Sequence, residues 1–129
     1  MVKKTVYNNT QKDFLIAAQN SFALSCIVGS AGVVANENGR KVIKLGTPLY
    51  IGTGKNVYKD RFETLTVSGD VLAGIARHEI DVTDGDTEVN DAVLTQGYVE
   101  FYMLDEDVQA KVEAIESQLT DIKFVRGAK

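Results

Sequence analysis

The sequence predicts a mainly β, single-domain α+β fold with one C-terminal helix. Three observations carry this. Short apolar runs bounded by Gly, Asn, Asp and Ser recur through most of the chain. Residues 92–104 alternate with the period of a strand. Only the stretch 105–119 sustains a helical stripe, through Val108, Val112, Ile115 and Leu119. A length of 129 residues suits one domain with its own core. With hydrophobic residues at 44% and charged residues at 25%, the composition is that of a folded chain.

Residues 1–13 are polar, lack periodicity and predict a flexible arm ahead of a domain spanning 14–129. Residues 14–34 mix apolar and small residues, interrupted by Gly29 and Gly32. Short strands are expected there, with an alanine-rich helical turn over 15–19 as the alternative. Asn36-Glu37-Asn38-Gly39 reads as a tight hairpin turn, because Asn-Gly tolerates positive φ. A strand over 40–45 follows and ends at Gly46. Pro48 holds Thr47 extended, Leu49-Tyr50-Ile51 is short and apolar, and Gly52-Thr53-Gly54 ends it. Strands are predicted over 62–67 and 71–76, separated by Ser68-Gly69-Asp70. In the strand 92–104, Val93, Thr95, Gly97, Val99, Phe101 and Met103 share the more apolar face. Asp105 is positioned to cap the helix, with Glu106 and Asp107 at its positive end. Ile122-Lys123-Phe124-Val125 reads as a final strand.

The net charge of −4 and the scattered basic residues exclude nucleic acid and anionic membrane surfaces as expected partners. Residues 14–36 carry no charge, but polar residues break them well short of the roughly 18 apolar residues a membrane span needs. They likewise lack a clean secretory apolar core, so a soluble protein is expected.

No catalytic, metal or cofactor site is expected. Cys26 is the single cysteine and sits among apolar neighbours, where a buried hydrophobe is favoured over a reactive thiol. His78 is the single histidine. Its neighbours Glu79 and Asp81 would not share its direction on a strand, and a dyad with Cys26 has no local signature. One Cys and one His fall short of a zinc set. Gly52-Thr53-Gly54-Lys55-Asn56 lacks the first Gly and the final Ser or Thr of a phosphate-binding loop. The acidic run Asp81-Val82-Thr83-Asp84-Gly85-Asp86-Thr87-Glu88 puts Thr83 and Gly85 where a calcium loop wants carboxylates. It reads as a solvated turn in which Asp81 and Thr83 bond nearby amides and Asp84-Gly85 makes the bend.

The run Gly74-Ile75-Ala76-Arg77-His78-Glu79-Ile80-Asp81-Val82-Thr83-Asp84-Gly85-Asp86, followed by Ala92-Val93-Leu94-Thr95-Gln96-Gly97-Tyr98-Val99, resembles the head decoration proteins of tailed phages, typified by the lambda capsid decoration protein. Upstream, Val42-Ile43-Lys44-Leu45-Gly46-Thr47-Pro48-Leu49 is similar to that family's entry strand. The helix and final strand also fit in order, so the resemblance covers about 40–125. Residues 52–62 are longer and more polar than the family pattern, and residues 1–35 match nothing in it.

The resemblance implies a β-tulip-like decoration domain and a homotrimer on the outer surface of the virion. It would bind the major capsid protein lattice of the expanded head and need neither cofactor nor enzymatic activity. It implies capsid attachment through the N-terminal arm, where Thr5, Val6 and Tyr7 form a β-prone triplet able to add to a sheet edge. His78, Asp81, Thr83, Asp84 and Gly85 would form a structural turn or an interface loop. The alternatives are a head-fibre or host-surface, carbohydrate-binding module displayed on the virion, which five tyrosines leave open, and a small hydrolase using His78.

Overall fold

The computed structural model describes residues 15–16 and 21–126. Its elements are β1 (Leu15–Ile16), β2 (Phe22–Val28), β3 (Val42–Ile43), β4 (Pro48–Ile51), β5 (Thr64–Leu65), β6 (Val71–Ala76), β7 (Ile80–Asp81), β8 (Thr87–Glu100), α1 (Glu106–Gln109), α2 (Val112–Gln118) and β9 (Ile122–Val125). The fold is mainly β with its helix at the C-terminal end, as the periodicities predict.

Five strands lie in the order β4-β6-β8-β2-β5. Tyr50 and Thr66 then exchange both backbone hydrogen bonds, at 2.7 and 3.0 Å. This bridge joins β4 to the end of β5, so the sheet closes on itself as a small barrel. Closure removes two open edges, which would otherwise offer unpaired amides to other chains. The inside is filled by Leu24, Cys26, Val28, Leu49, Ile51, Leu65, Ala73, Ala76 and Val93. Beyond the barrel, β3 and β7 pair as a two-stranded ribbon, with Ile43 opposite Ile80 and Val42 opposite Asp81.

Strand β8 belongs to two layers. Its first part pairs with β2 and β6, and its last part lies between antiparallel β1 and parallel β9. A bulge supplies the bend. Leu24 pairs with Val93 and Cys26 with Val89, so β8 holds extra residues there. Asp91 takes a φ of 50° and donates its amide to Ser25 Oγ at 3.1 Å. Bulges of this kind bend a strand and sharpen its twist.

The helices cover the outside of β6 and β8. Ile75 and Leu94, opposite each other in the ladder, pack with Val99, Leu104, Val108, Val112, Ile115, Ile122 and Phe124. The neighbouring pair, Ala76 and Val93, packs in the barrel core. Gly74 permits this close layering: a Cβ there would stand 2.5 Å from the Leu94 carbonyl oxygen and 2.5 Å from Val93 Cγ2.

Several expectations need correction. The helix predicted over 105–119 is two short helices, because the chain tightens at Ala110 and Lys111, where the Lys111 amide bonds back to Val108 rather than one residue further. The apolar stripe survives the break, with Val108, Val112 and Ile115 all buried. Asp105 stands at the cap position without a side-chain capping bond, and its carboxylate pairs with Lys44 Nζ at 3.1 Å. The long strand starts at Thr87 and ends at Glu100, after which Phe101–Met103 form a 3-10 turn. Its polar start hides from a hydrophobic pattern, because pairing with β2 rather than burial makes it a strand. The turn at Asn36 is present, but it does not join neighbouring strands: β2 pairs with β8 and β5, whereas β3 pairs with β7. The strand expected over 40–45 is confined to Val42–Ile43, and that over 62–67 to Thr64–Leu65 with the bridge at Thr66.

Candidate functional site

The segment 77–86 leaves β6, forms one side of the β3–β7 ribbon and turns into β8. Its geometry is set by a short polar network. Thr83 donates both its amide, at 2.9 Å, and its hydroxyl to Asp81 Oδ1. Thr83 Oγ1 in turn accepts the Lys41 amide at 2.8 Å. Arg40 donates Nε to Asp81 Oδ2 at 3.0 Å, and its Nη2 reaches the same oxygen. Val82 bonds Lys41 through the backbone at 2.8 Å, and the Gly85 amide closes the bend on the Val82 carbonyl at 3.0 Å. Gly85 has a φ of 109°, which a side chain would strain.

This network depresses the Asp81 carboxyl to about 2, through the Thr83 hydroxyl first, then the Thr83 amide and the Arg40 guanidinium. Both Arg40 and Asp81 are solvent-exposed, so the pair is an orienting contact in high dielectric. Both oxygens of Asp81 are thus engaged by protein donors. Among the described residues, no group of three or more His, Cys, Asp or Glu is placed to hold a metal ion.

The structure brings Asp81, Thr83 and Gly85 into one turn, as their local chemistry predicts. Asp84 is exposed in the same turn. His78 lies on the exposed bend between β6 and β7 rather than on a strand, so strand alternation does not govern its direction. Thr5, Val6 and Tyr7 lie outside the described residues. The missed participant is Arg40. Its separation of 41 residues from Asp81 hides it from local reading, although its place just after the Asn-Gly turn, at the mouth of β3, was an available signal.

Cys26 is buried in the barrel, and burial pushes its thiol up to about 11. Such a thiol carries little nucleophilic thiolate near neutrality. The Gly52–Asn56 loop is a turn: Lys55 bonds back to Gly52 at 3.0 Å, and Thr53 donates its hydroxyl to Asp70 at 3.1 Å.

A second surface feature was not anticipated. Phe22 and Tyr58 stack with ring centroids 6.5 Å apart, although each is about half exposed, at 47% and 54%. Phe22 continues into an open groove with Gln96, Tyr98, Asp121 and Lys123. On the loop after β4, Phe62 is 87% exposed. No family model, no curated protein and no solved structure matches the chain.

Proposed function

We propose that this chain is a decoration protein of a tailed-phage head. It binds the outside of the expanded capsid as a homotrimer and holds the major capsid protein lattice against the pressure of packaged DNA. One observation carries the reading. Two separately placed pieces of the family-like pattern, around Val42-Ile43 and Ile80-Asp81, are hydrogen-bonded partners in one ribbon, pinned by Arg40, Asp81 and Thr83. Pattern pieces far apart in sequence but joined in space are what a shared architecture requires. The buried Cys26 thiol, pushed up to about 11, offers little thiolate for nucleophilic chemistry near neutrality.

Stabilisation of this kind needs only selective binding, because a ligand of the assembled state alone favours that state by mass action. Repeated copies on one lattice add retention through avidity. The N-terminal arm, with Thr5, Val6 and Tyr7, adds a strand to an exposed sheet edge of the capsid protein. Deleting residues 2–10 is expected to abolish cosedimentation with emptied, expanded capsids while leaving the oligomer folded. Undiminished cosedimentation of the deleted form rejects the arm's role.

A second reading is a virion-displayed module that binds host-surface carbohydrate. The half-exposed rings of Phe22, Tyr58 and Tyr98 beside Gln96 and Asp121 favour it, since ligand sites pair apolar rings with a few polar groups. Retention on cell-wall polysaccharide that Tyr98→Ala removes would select this reading over the first.

A further inference from the structure

We propose that Asn38-Gly39 is a site of spontaneous covalent modification, at which the folded protein converts Asn38 to aspartyl and isoaspartyl products.

Four asparagines are described, and only one is poised for this chemistry. Asn36 uses its side-chain oxygen to accept the amides of Asn38 at 2.9 Å and Arg40 at 3.0 Å. Asn56 accepts the Tyr58 amide at 2.8 Å and precedes the buried, β-branched Val57. Asn90 lies inside β8, and the next amide, that of Asp91, is held by Ser25 Oγ. Asn38 is exposed, and its side chain makes no hydrogen bond to a described residue. It is followed by Gly39, which is exposed, has a φ of 77° and has open space where a Cβ would stand. A residue without Cβ lets its own amide nitrogen approach the preceding side chain.

The chemistry needs only water. The Gly39 amide nitrogen loses its proton and attacks Asn38 Cγ. A carbon–nitrogen bond forms, the bond from Cγ to Nδ2 breaks, and ammonia leaves with a proton. The resulting five-membered imide adds water at either carbonyl. Opening at the side-chain carbonyl carbon gives aspartate in an ordinary backbone. Opening at the main-chain carbonyl carbon gives an isoaspartyl link, with the chain running through Cβ and Cγ. One hydrogen bond opposes the attack, from the Gly39 amide to the Asn36 carbonyl at 2.9 Å. It lies in an exposed turn, where local opening is frequent.

The product alters the ribbon described above. Asn36 brackets this turn by bonding both the amide and the carbonyl of Arg40. An isoaspartyl link lengthens the main chain inside that bracket, and either product adds a negative charge two residues before Arg40, the partner of Asp81. Ageing therefore loosens the mouth of β3 and adds acidity beside it.

The test incubates the full-length protein at mildly alkaline pH and follows it by intact mass, peptide mapping and enzymatic isoaspartyl labelling. A free peptide spanning 34–42 runs in parallel. The proposal expects amide-to-acid conversion at Asn38 that outpaces every other described asparagine, with isoaspartyl label at that position. The label should disappear in Asn38→Gln. Retention of the Asn38 amide while the free peptide converts would overturn it, because the folded turn would then protect the site. Conversion at Asn56 or Asn90 as fast as at Asn38 would overturn it equally.

Discussion

At the scale of single residues, Asp81 shows how short polar contacts orient the outer face of a ribbon whose inner face, Ile43, Ile80 and Val82, is buried in the core. Its folded carboxyl lies at about 2, below its ordinary value of 3.8. A depressed carboxyl contributes stability above the unfolded value and loses it as pH falls through the folded value. The ribbon is thus expected to weaken as pH drops from about 4 to about 2. Thermal melts across that window should fall more steeply for the native protein than for Asp81→Asn, and equal slopes would remove Asp81 from the account. Gly74 makes the opposite point, since what matters there is the missing atom. Gly74→Ala drives a methyl into the backbone of β8 and should cost about 1–3 kcal/mol in urea unfolding. Cys26 should resist thiol reagents in the folded protein at neutral pH and react once denaturant opens the barrel. Of these residues, Asp81 and Thr83 were legible because an aspartate and a threonine two positions on bond each other locally. Arg40 was not, because its contact depends on strand pairing across 41 residues.

At the scale of elements, the C-terminal strand is guarded. The Phe124 amide donates to Glu116 Oε2 at 3.1 Å, and the Ile122 amide donates to the Leu119 carbonyl at 3.2 Å. Helix α2 thereby satisfies the amides that face away from β8, and a covered edge does not recruit other strands. Glu116→Ala should cost about 1 kcal/mol and raise concentration-dependent self-association in light scattering. Ile115→Ala, which empties the buried layer between α2 and the sheet, should cost about 2–5 kcal/mol in the same unfolding assay. The apolar stripe of the helix was readable because packing fixes its period. The break at Ala110 and Lys111 was not, because neither Gly nor Pro marks it. Strand β6 was read to its ends, since turn residues flank it on one side and a charged bend on the other. Strand β8 was misplaced at both ends, since its first residues are polar and its last apolar residues belong to a 3-10 turn.

At the scale of the whole molecule, the bridge between β4 and the end of β5 closes the barrel, and the α2 end blocks two amides on the outer edge of β9. Such a body suits repeated display on a lattice, where a stray edge would promote aggregation. The mainly β class followed from short apolar runs between turn residues, from the alternation over 92–104 and from the single helical stripe. Barrel closure did not, because it rests on one bridge between Tyr50 and Thr66. The most direct test of the proposed role is cosedimentation of the purified full-length protein with emptied, expanded tailed-phage capsids, beside unexpanded capsids. The account predicts saturable pelleting with expanded capsids only, at a ratio of three copies per local three-fold position. A protein that stays in the supernatant with expanded capsids, or pellets equally with both forms, would contradict it.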